Sequence, residues 1–231
     1  MILKSYLVEK NIKILTSYNA VLIYGENNGI KDDLKEKIKN EDNNCEIVTF
    51  FENDISSSNV LYGMISNQSL FFEKKIIFVQ EASDKIFAKI EECLQKENKD
   101  IKIYIFANTL EKKSKLRNLF EKDKSLAIFP CYEDNERTLI SYINNSLKNI
   151  KGLTGDIVNL IIDNSNRDRK IIKSEITKIR DFFDDKKINK KELLEILNIK
   201  DDGDFGEIRD KALIGEKLKI NKLLSETEIL N

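Results

Sequence analysis

The sequence predicts an α/β fold in which a parallel sheet is followed by a small all-helical domain. Short β-branched runs such as residues 21–24 and 101–107 are apolar on both faces, which is typical of strands covered by helices on both sides. Amphipathic helical patterns separate these runs, and such alternation favours parallel strands joined by crossover helices. The alternation stops at Pro130, after which the periodic segments have helical spacing.

The first part of the chain contains the strand candidates, each a short apolar run bounded by polar residues or glycine. Between them, the segment 30–38 places Ile30, Leu34 and Ile38 on one helical face. Further helices are predicted over 59–65, around 86–94 and over the basic stretch 112–121. The predicted strands comprise residues 21–24, 47–51, 76–79, 101–107 and 126–129.

Beyond Pro130 the pattern is helical throughout. In the third of the predicted helices, Ile172, Ile176, Ile179 and Phe183 form one apolar stripe. A polar, glycine-containing hinge at 201–204 precedes two short helical pieces, 205–213 and 216–224, which look like the beginning of a third domain. The predicted helices of the second domain comprise residues 136–148, 156–163, 170–183 and 190–197.

Composition excludes several classes of function. The chain has 39 basic and 40 acidic residues and a net charge of -1, so no global field attracts DNA or anionic lipid. It contains no histidine, which removes Ser-His and Cys-His nucleophile pairs and most zinc sites. The three cysteines are far apart and form no Cys-x-x-Cys motif, as expected of reduced core thiols. With no signal peptide and no apolar run near the ~18 residues that span a bilayer, we expect a cytoplasmic protein without a metal or a membrane partner.

The glycine after the first strand invites comparison with a phosphate-binding P-loop, G-x-x-x-x-G-K-[ST]. Starting the template on Gly25 places Lys31 at the lysine, but Ile30 at the second glycine and Asp32 at the hydroxyl position. A β-branched side chain blocks the close approach of the backbone to phosphate, and the carboxylate repels it. The later strand ends in Gln80-Glu81 instead of a magnesium-binding acid. We therefore predict a degenerate P-loop without a cofactor, in which Lys31 is a solvated helix residue.

Three large apolar residues, Leu70, Phe71 and Phe72, stand directly before the predicted strand 76–79 and after the polar leader 66–69. Successive side chains point in different directions in a helix and to opposite faces in a strand, so the three cannot all face one core within a regular element. Either at least one is exposed as an anchor for a partner's apolar pocket, or all three enter the core through an irregular turn.

A nucleotide-binding fold without its chemistry, joined to a small helical domain, resembles the delta-subunit family of the bacterial DNA polymerase III clamp loader. The resemblance implies a RecA/AAA+-like α/β domain over residues 1–132 with a degenerate P-loop, a helical lid-like domain over 133–200, and the start of a truncated helical collar domain over 201–231. Asn166 stands where the family usually has glycine. The segments that carry the resemblance are 22–26, 69–71 before the strand 75–79, 110–116, and 166–168 through Glu175 and Ile179.

The same resemblance implies a function. In this family a leucine-phenylalanine pair, here Leu70 and Phe71 flanked by Gln68, Ser69 and Phe72, inserts into the apolar pocket of the sliding clamp, the beta subunit. The expected protein is a non-catalytic subunit of the DNA polymerase III holoenzyme that binds and opens the clamp during DNA replication. Its other expected partners are the gamma/tau and delta prime subunits of the loader, with DNA contacted only within the complex.

Two alternatives remain from the sequence. One is an active ATPase or kinase with a divergent P-loop, which nucleotide binding would reveal. The other is a regulatory module that binds a different protein through Leu70 and Phe71, which a binding test with purified sliding clamp would separate.

Two charged stretches are also open to interpretation. The basic stretch 112–117 either contacts DNA phosphate or a neighbouring subunit, or is one face of a solvated helix. Arg167, Asp168 and Arg169 are interpreted as a helix start with solvated charges.

Overall fold

A computed structural model describes residues 1–4, 7–8, 11–41, 44–66, 74–96, 100–184, 186–197, 209, 211–217 and 219–221 of the 231-residue chain. Packing divides the chain into two units, Met1–Asn135 and Glu136–Asn231. The separate third domain expected at 201–231 stays a prediction, because most of it lies outside the described residues.

The first unit contains a five-stranded sheet in the order β2-β3-β4-β1-β5. All four pairings between neighbouring strands are parallel, which confirms the parallel sheet predicted from the sequence. Each strand overlaps its predicted range, and β4 coincides with it. The strands are β1 (Ala20–Tyr24), β2 (Cys45–Phe51), β3 (Lys74–Ala82), β4 (Ile101–Ala107) and β5 (Ala127–Pro130).

Helices connect the strands of this sheet. Two of them, the first and the third, are short and were not predicted, since too few residues are present to show a helical period. The basic helix predicted from residue 112 begins only at Lys115, because the Ser114 hydroxyl accepts the backbone N–H of Arg117 and caps it there. The helices are α1 (Lys13–Thr16), α2 (Asn28–Glu41), α3 (Glu52–Ser57), α4 (Val60–Ser66), α5 (Phe87–Leu94) and α6 (Lys115–Lys122), with a 3-10 turn at Asp84–Ile86.

The sheet is buried on both faces. In β1, Leu22 packs in a core on the side of α3, α4, α5 and α6, whereas Val21 and Ile23 pack on the side of α1 and α2. All five β1 residues are buried, as expected of a central parallel strand. The apolar character of both faces was therefore a valid signal in the sequence.

The two edges of the sheet differ. At β5, Leu3 donates its backbone N–H to the Ile128 carbonyl at 2.8 Å, so the first residues of the chain pair with this edge. At the opposite edge, β2 carries Ile47 and Phe51 with 40% and 49% of their surface exposed.

The second unit is helical in its described part and has its own apolar core. On α9, Ile172, Ile176, Ile179 and Phe183 are all buried, which confirms the predicted stripe. The Asn189 side chain accepts the Lys191 N–H at 3.0 Å and caps α10. The helices are α7 (Glu136–Ser146), α8 (Gly155–Asn164), α9 (Arg169–Phe183) and α10 (Lys190–Ile196).

The turn between α8 and α9 has a left-handed backbone at two successive residues. Asn166 has φ 48° and Arg167 has φ 61°, a region that glycine adopts most easily and asparagine tolerates. Asp168 then caps α9 by accepting the N–H groups of Lys170 and Ile171. Within the described ranges, no helix is long and apolar enough to cross a membrane.

Candidate functional site

Gly25 directly follows β1 at the carboxyl edge of the sheet, at the first position of the degenerate P-loop. Its φ is +133°, and a Cβ at this position would lie 2.2 Å from the carbonyl oxygen of Cys131. The neighbouring chain is held there by the Cys131 N–H, which donates to the Tyr24 carbonyl at 2.6 Å. Glycine is required because backbone passes directly against it. No phosphate is needed to explain it.

Asn27 closes the loop between β1 and α2. Its Oδ1 accepts the Ile30 N–H at 3.0 Å, which caps α2, while its Nδ2 donates to the Asp134 carboxylate at 2.7 Å. Its own backbone N–H donates to the Cys131 carbonyl at 3.1 Å, and the Lys31 N–H donates to the Asn27 carbonyl at 3.3 Å. Backbone donors that would face phosphate in a P-loop are thus used within the protein.

Lys31 is buried, which contradicts the prediction of a solvated lysine. Its Nζ donates to the carbonyl of Gly25 at 2.9 Å and to the carbonyl of Ala107 at 3.3 Å, with Asn108 Oδ1 at 3.4 Å. The ends of β1 and β4 are therefore tied together by one ammonium group. The prediction was wrong because the sequence shows neither how close these carbonyls lie nor that they can satisfy a buried ammonium.

The other two altered P-loop positions have separate roles on α2. Ile30 is buried and packs with Leu34 and Ile38 in the core on the α1 and α2 side of the sheet. Asp32, one residue beyond Lys31, is exposed. The position of the second glycine is thus filled by a core side chain, which agrees with the predicted degenerate loop.

The end of β3, where a magnesium-binding acid would be expected, is irregular. The pairing of β3 with β4 shifts between Val79 and Ala82, and Glu81 has φ 58° with an exposed side chain. The nearby Glu52 accepts the Ser83 N–H at 2.6 Å and so has a structural role. The described residues contain no group of three or more His, Cys, Asp or Glu side chains arranged to hold a metal.

The predicted partner-binding segment, comprising Gln68, Ser69, Leu70, Phe71 and Phe72, lies outside the described residues. The residues that flank the range 67–73, up to Ser66 and from Lys74, are described. The segment follows α4, which ends at Ser66, and precedes β3, which begins at Lys74 at the amino edge of the sheet.

Two lysines hold these flanks. Lys75 is buried in β3, and its Nζ donates to the Met64 carbonyl at 3.0 Å and lies 3.5 Å from the Glu46 carboxylate. Lys96 donates to the Ser66 hydroxyl at 2.9 Å, and its Nζ lies 3.5 Å from the centre of the Tyr62 ring. The end of α4 and the start of β3 are therefore fixed to each other and to α5. Nothing in the sequence distinguishes Lys75 from the surface lysines around it.

The basic stretch 112–117 separates into two kinds of residue. Arg117 is partly buried, with Nε donating to Glu121 at 2.8 Å and Nη1 donating to the Leu110 carbonyl at 3.1 Å. Lys112, Lys113 and Lys115 are exposed. The three lysines agree with a solvated face, whereas Arg117 is a structural residue.

Before α6, Asp84 accepts the Ser114 hydroxyl at 2.6 Å, the Leu116 N–H at 2.9 Å and the Lys115 N–H at 3.1 Å. Burial opposes ionisation of this carboxyl, but the three hydrogen bonds outweigh it and hold its pKa below the ordinary value. Asp84 therefore joins the 3-10 turn at Asp84–Ile86 to the start of α6.

In the second unit, α9 begins after Asp168, as predicted, but the solvated state expected of Arg169 is wrong. Arg169 is buried, and its guanidinium carbon lies 4.0 Å from the centre of the Tyr142 ring. Stacking on an aromatic ring lets the guanidinium leave water at a tolerable cost. Arg169 is therefore a packing residue between α7 and α9.

No protein-family model matches the chain, and no curated protein is significantly similar to it in sequence. Its structure is similar to that of the Bacillus subtilis DNA clamp loader delta protein, with a TM-score of 0.64 and 14% identity over 98% of this chain and 72% of that one. It is also similar to a point variant of Thermotoga maritima RuvB, with a TM-score of 0.50 and 16% identity over 92% of this chain and 77% of that one.

The fold is RecA/AAA+-like. The likeness covers both the parallel sheet and the helical unit that follows it in the chain, so the predicted fold class is confirmed. At these identities, the comparisons concern the fold alone.

Proposed function

We propose that the chain is a non-catalytic, delta-type clamp-loader subunit that binds and opens a sliding clamp through Leu70 and Phe71. The observation that carries the proposal is that the degenerate P-loop is occupied by contacts within the protein. A chain with the fold of an ATPase holds its P-loop lysine, Lys31, against its own carbonyls. Likeness of fold to a clamp loader delta protein over 98% of the chain supports the same assignment.

Binding by this pair needs only apolar burial. Each large side chain that leaves water for a dry pocket contributes about 1.5–3 kcal/mol by the area it buries. Gln68, Ser69 and Phe72 flank the pair and form the rim of such a contact. A ring that binds this chain more tightly when open than when closed is shifted toward the open state by that difference in affinity.

The flanks of the segment favour this use. Lys75 and Lys96 tie the end of α4, the start of β3 and α5 together, so the described residues on both sides of the segment are held in place. Fixing the ends of a binding segment before association lowers the entropy lost on binding. A segment attached in this way presents its apolar pair from a rigid base.

In this proposal, the chain acts in the cytoplasm within the DNA polymerase III holoenzyme. It assembles with the gamma/tau and delta prime subunits and contacts DNA only within that complex. It hydrolyses no ATP itself, since Lys31 is committed to the ends of β1 and β4. Subunits that hydrolyse ATP set the moment at which the clamp is engaged.

The test is the affinity of the full chain for its sliding clamp, measured by surface plasmon resonance. The double variant Leu70→Ala, Phe71→Ala is expected to bind at least about a hundredfold more weakly, from two side chains at 1.5–3 kcal/mol each. The matched control is a second pair of neighbouring apolar residues, Leu213→Ala and Ile214→Ala, whose side chains are 81% and 69% exposed. Both variants are checked for folding by circular dichroism.

Unchanged clamp affinity in a folded Leu70→Ala, Phe71→Ala variant would reject this pair as the anchor. Loss of the fold would instead favour the alternative that these residues belong to the core. Failure of the unmodified chain to bind any sliding clamp would reject the proposed function as a whole.

A further inference from the structure

A cavity of about 350 Å³ lies at the amino edge of the sheet, where β2, β3 and β4 begin and α2 ends. It lies at the opposite edge of the sheet from Gly25 and the degenerate P-loop, so it is a separate site. Its volume is within the range of cavities that take small molecules. Part of its wall is apolar and includes Ile38 and Ile76.

The charged lining is predominantly basic. Four lysines line the cavity against two acidic residues, Glu41 and Asp100. Two of these lysines have carboxylate partners: Lys13 lies 3.5 Å from Glu41, and Lys75 lies 3.5 Å from Glu46. Burial, and then the positive charge of Lys74, lower the pKa of Lys102 below its ordinary value. Lys74 and Lys102 both line the cavity, where ammonium groups can donate to an anionic ligand.

A hydroxyl donor completes the lining. Tyr104 is 1% exposed and lines the cavity, and its hydroxyl has no hydrogen-bond partner in the part of the chain that the structure describes. Burial, and then the neighbouring Cys45 and Glu41, raise its pKa above the usual range, so it keeps its proton at neutral pH. Buried hydroxyls normally have partners, and a ligand atom in the cavity would supply one.

We propose that this cavity binds a small organic anion. Its carboxylate, phosphate or sulfonate group is held by the ammonium groups of Lys74 and Lys102 and by the Tyr104 hydroxyl, and its apolar body lies against Ile38 and Ile76. The inference does not depend on the proposed clamp binding, because none of these residues belongs to the segment 68–72.

The probe is 8-anilinonaphthalene-1-sulfonate, which combines one sulfonate with an apolar ring system and fluoresces when bound. Its neutral counterpart, N-phenyl-1-naphthylamine, has the same rings without the sulfonate. The full chain is expected to bind the anionic dye with one-to-one stoichiometry and at least about tenfold more tightly than the neutral dye. Amide chemical-shift changes are expected at Cys45, Ile76 and Lys102.

Two variants test the polar contacts. Tyr104→Phe and Lys102→Gln should each weaken binding of the anionic dye about tenfold, as expected for loss of one hydrogen bond to a charged group. Tyr132→Phe and Lys148→Gln are the matched controls, since both residues are exposed and lie outside the cavity. The controls should leave the affinity unchanged.

Equal affinity for the two dyes would overturn the proposal, as would anionic-dye binding that survives both Tyr104→Phe and Lys102→Gln. Shift changes confined to residues outside the cavity would overturn it as well. If Tyr104→Phe fails to fold, Lys102→Gln decides, because Lys102 is only partly buried and its one described hydrogen bond is to Asn19 Oδ1 at 3.1 Å.

Discussion

Replacing Lys31 with methionine tests whether this lysine ties strands together or is an ordinary helix residue. Methionine keeps most of the side-chain volume but removes the ammonium that donates to Gly25 at 2.9 Å and to Ala107 at 3.3 Å. Each hydrogen bond from a charged donor contributes about 1.5–3 kcal/mol, and relief of the buried charge offsets part of that sum. We therefore expect Lys31→Met to lower the free energy of unfolding by about 2–4 kcal/mol.

The assay is urea denaturation followed by tyrosine fluorescence. All tyrosines except Tyr142 belong to the first unit, so this signal reports mainly on the unit that contains Lys31. The control is Lys37→Met, an exposed position on the same helix, which should change stability by no more than about 0.5 kcal/mol. If Lys31→Met is as mild as Lys37→Met, the buried geometry is refuted and the lysine is available to a ligand.

Gly25→Ala should lower the free energy of unfolding by more than about 3 kcal/mol or prevent folding, because its Cβ would lie 2.2 Å from the Cys131 carbonyl oxygen. Gly63→Ala, in an open helical position, should instead raise it by about 0.5–1 kcal/mol. Urea denaturation of both variants checks the contrast. Asp84→Ala should cost about 1 kcal/mol at pH 7. Because the folded pKa of Asp84 is lowered, this difference should be full above the unfolded value of 3.8 and disappear as the pH falls through the folded pKa, which thermal melts between pH 7 and pH 2 would show. Asn166→Gly should raise the free energy of unfolding by up to about 1 kcal/mol, and with it the melting temperature, because the backbone φ at this residue is 48°. A lower melting temperature would contradict this explanation.

The fold could be predicted because its signals are local. A strand such as β4 is a continuous β-branched and aromatic run between polar residues, and it was placed without error. The α9 stripe of Ile172, Ile176, Ile179 and Phe183 has the helical period, and all four residues are buried. Boundaries were less accurate where a cap decides them. The Ser114 hydroxyl caps α6 and so decides where this helix begins. The sequence shows only that serine is a preferred capping residue, not that this serine is the cap.

The interior polar residues could not be predicted, because their partners are distant in sequence. Lys31 bonds to Ala107, and Lys75 lies 3.5 Å from Glu46; both partners are brought close by the order of strands in the sheet. Asn27 was the exception that the sequence could have revealed, since an asparagine directly before the helix start is a preferred cap. It was overlooked because the loop was compared only with a phosphate-binding template.

The position of Lys31 bears on how the proposed subunit would be controlled. In an open P-loop, the lysine and the loop backbone meet phosphate, so nucleotide can change the arrangement of the strand ends. Here the ammonium group donates to the carbonyls of Gly25 and Ala107, so these two strand ends are joined through a side chain of the protein. The segment 68–72 is attached at the amino edge through β3 and α4, whose anchors Lys75 and Lys96 are equally independent of nucleotide. Under the proposed function, we therefore expect the ATP-dependent timing of clamp binding to come from a partner subunit and not from nucleotide bound to this chain.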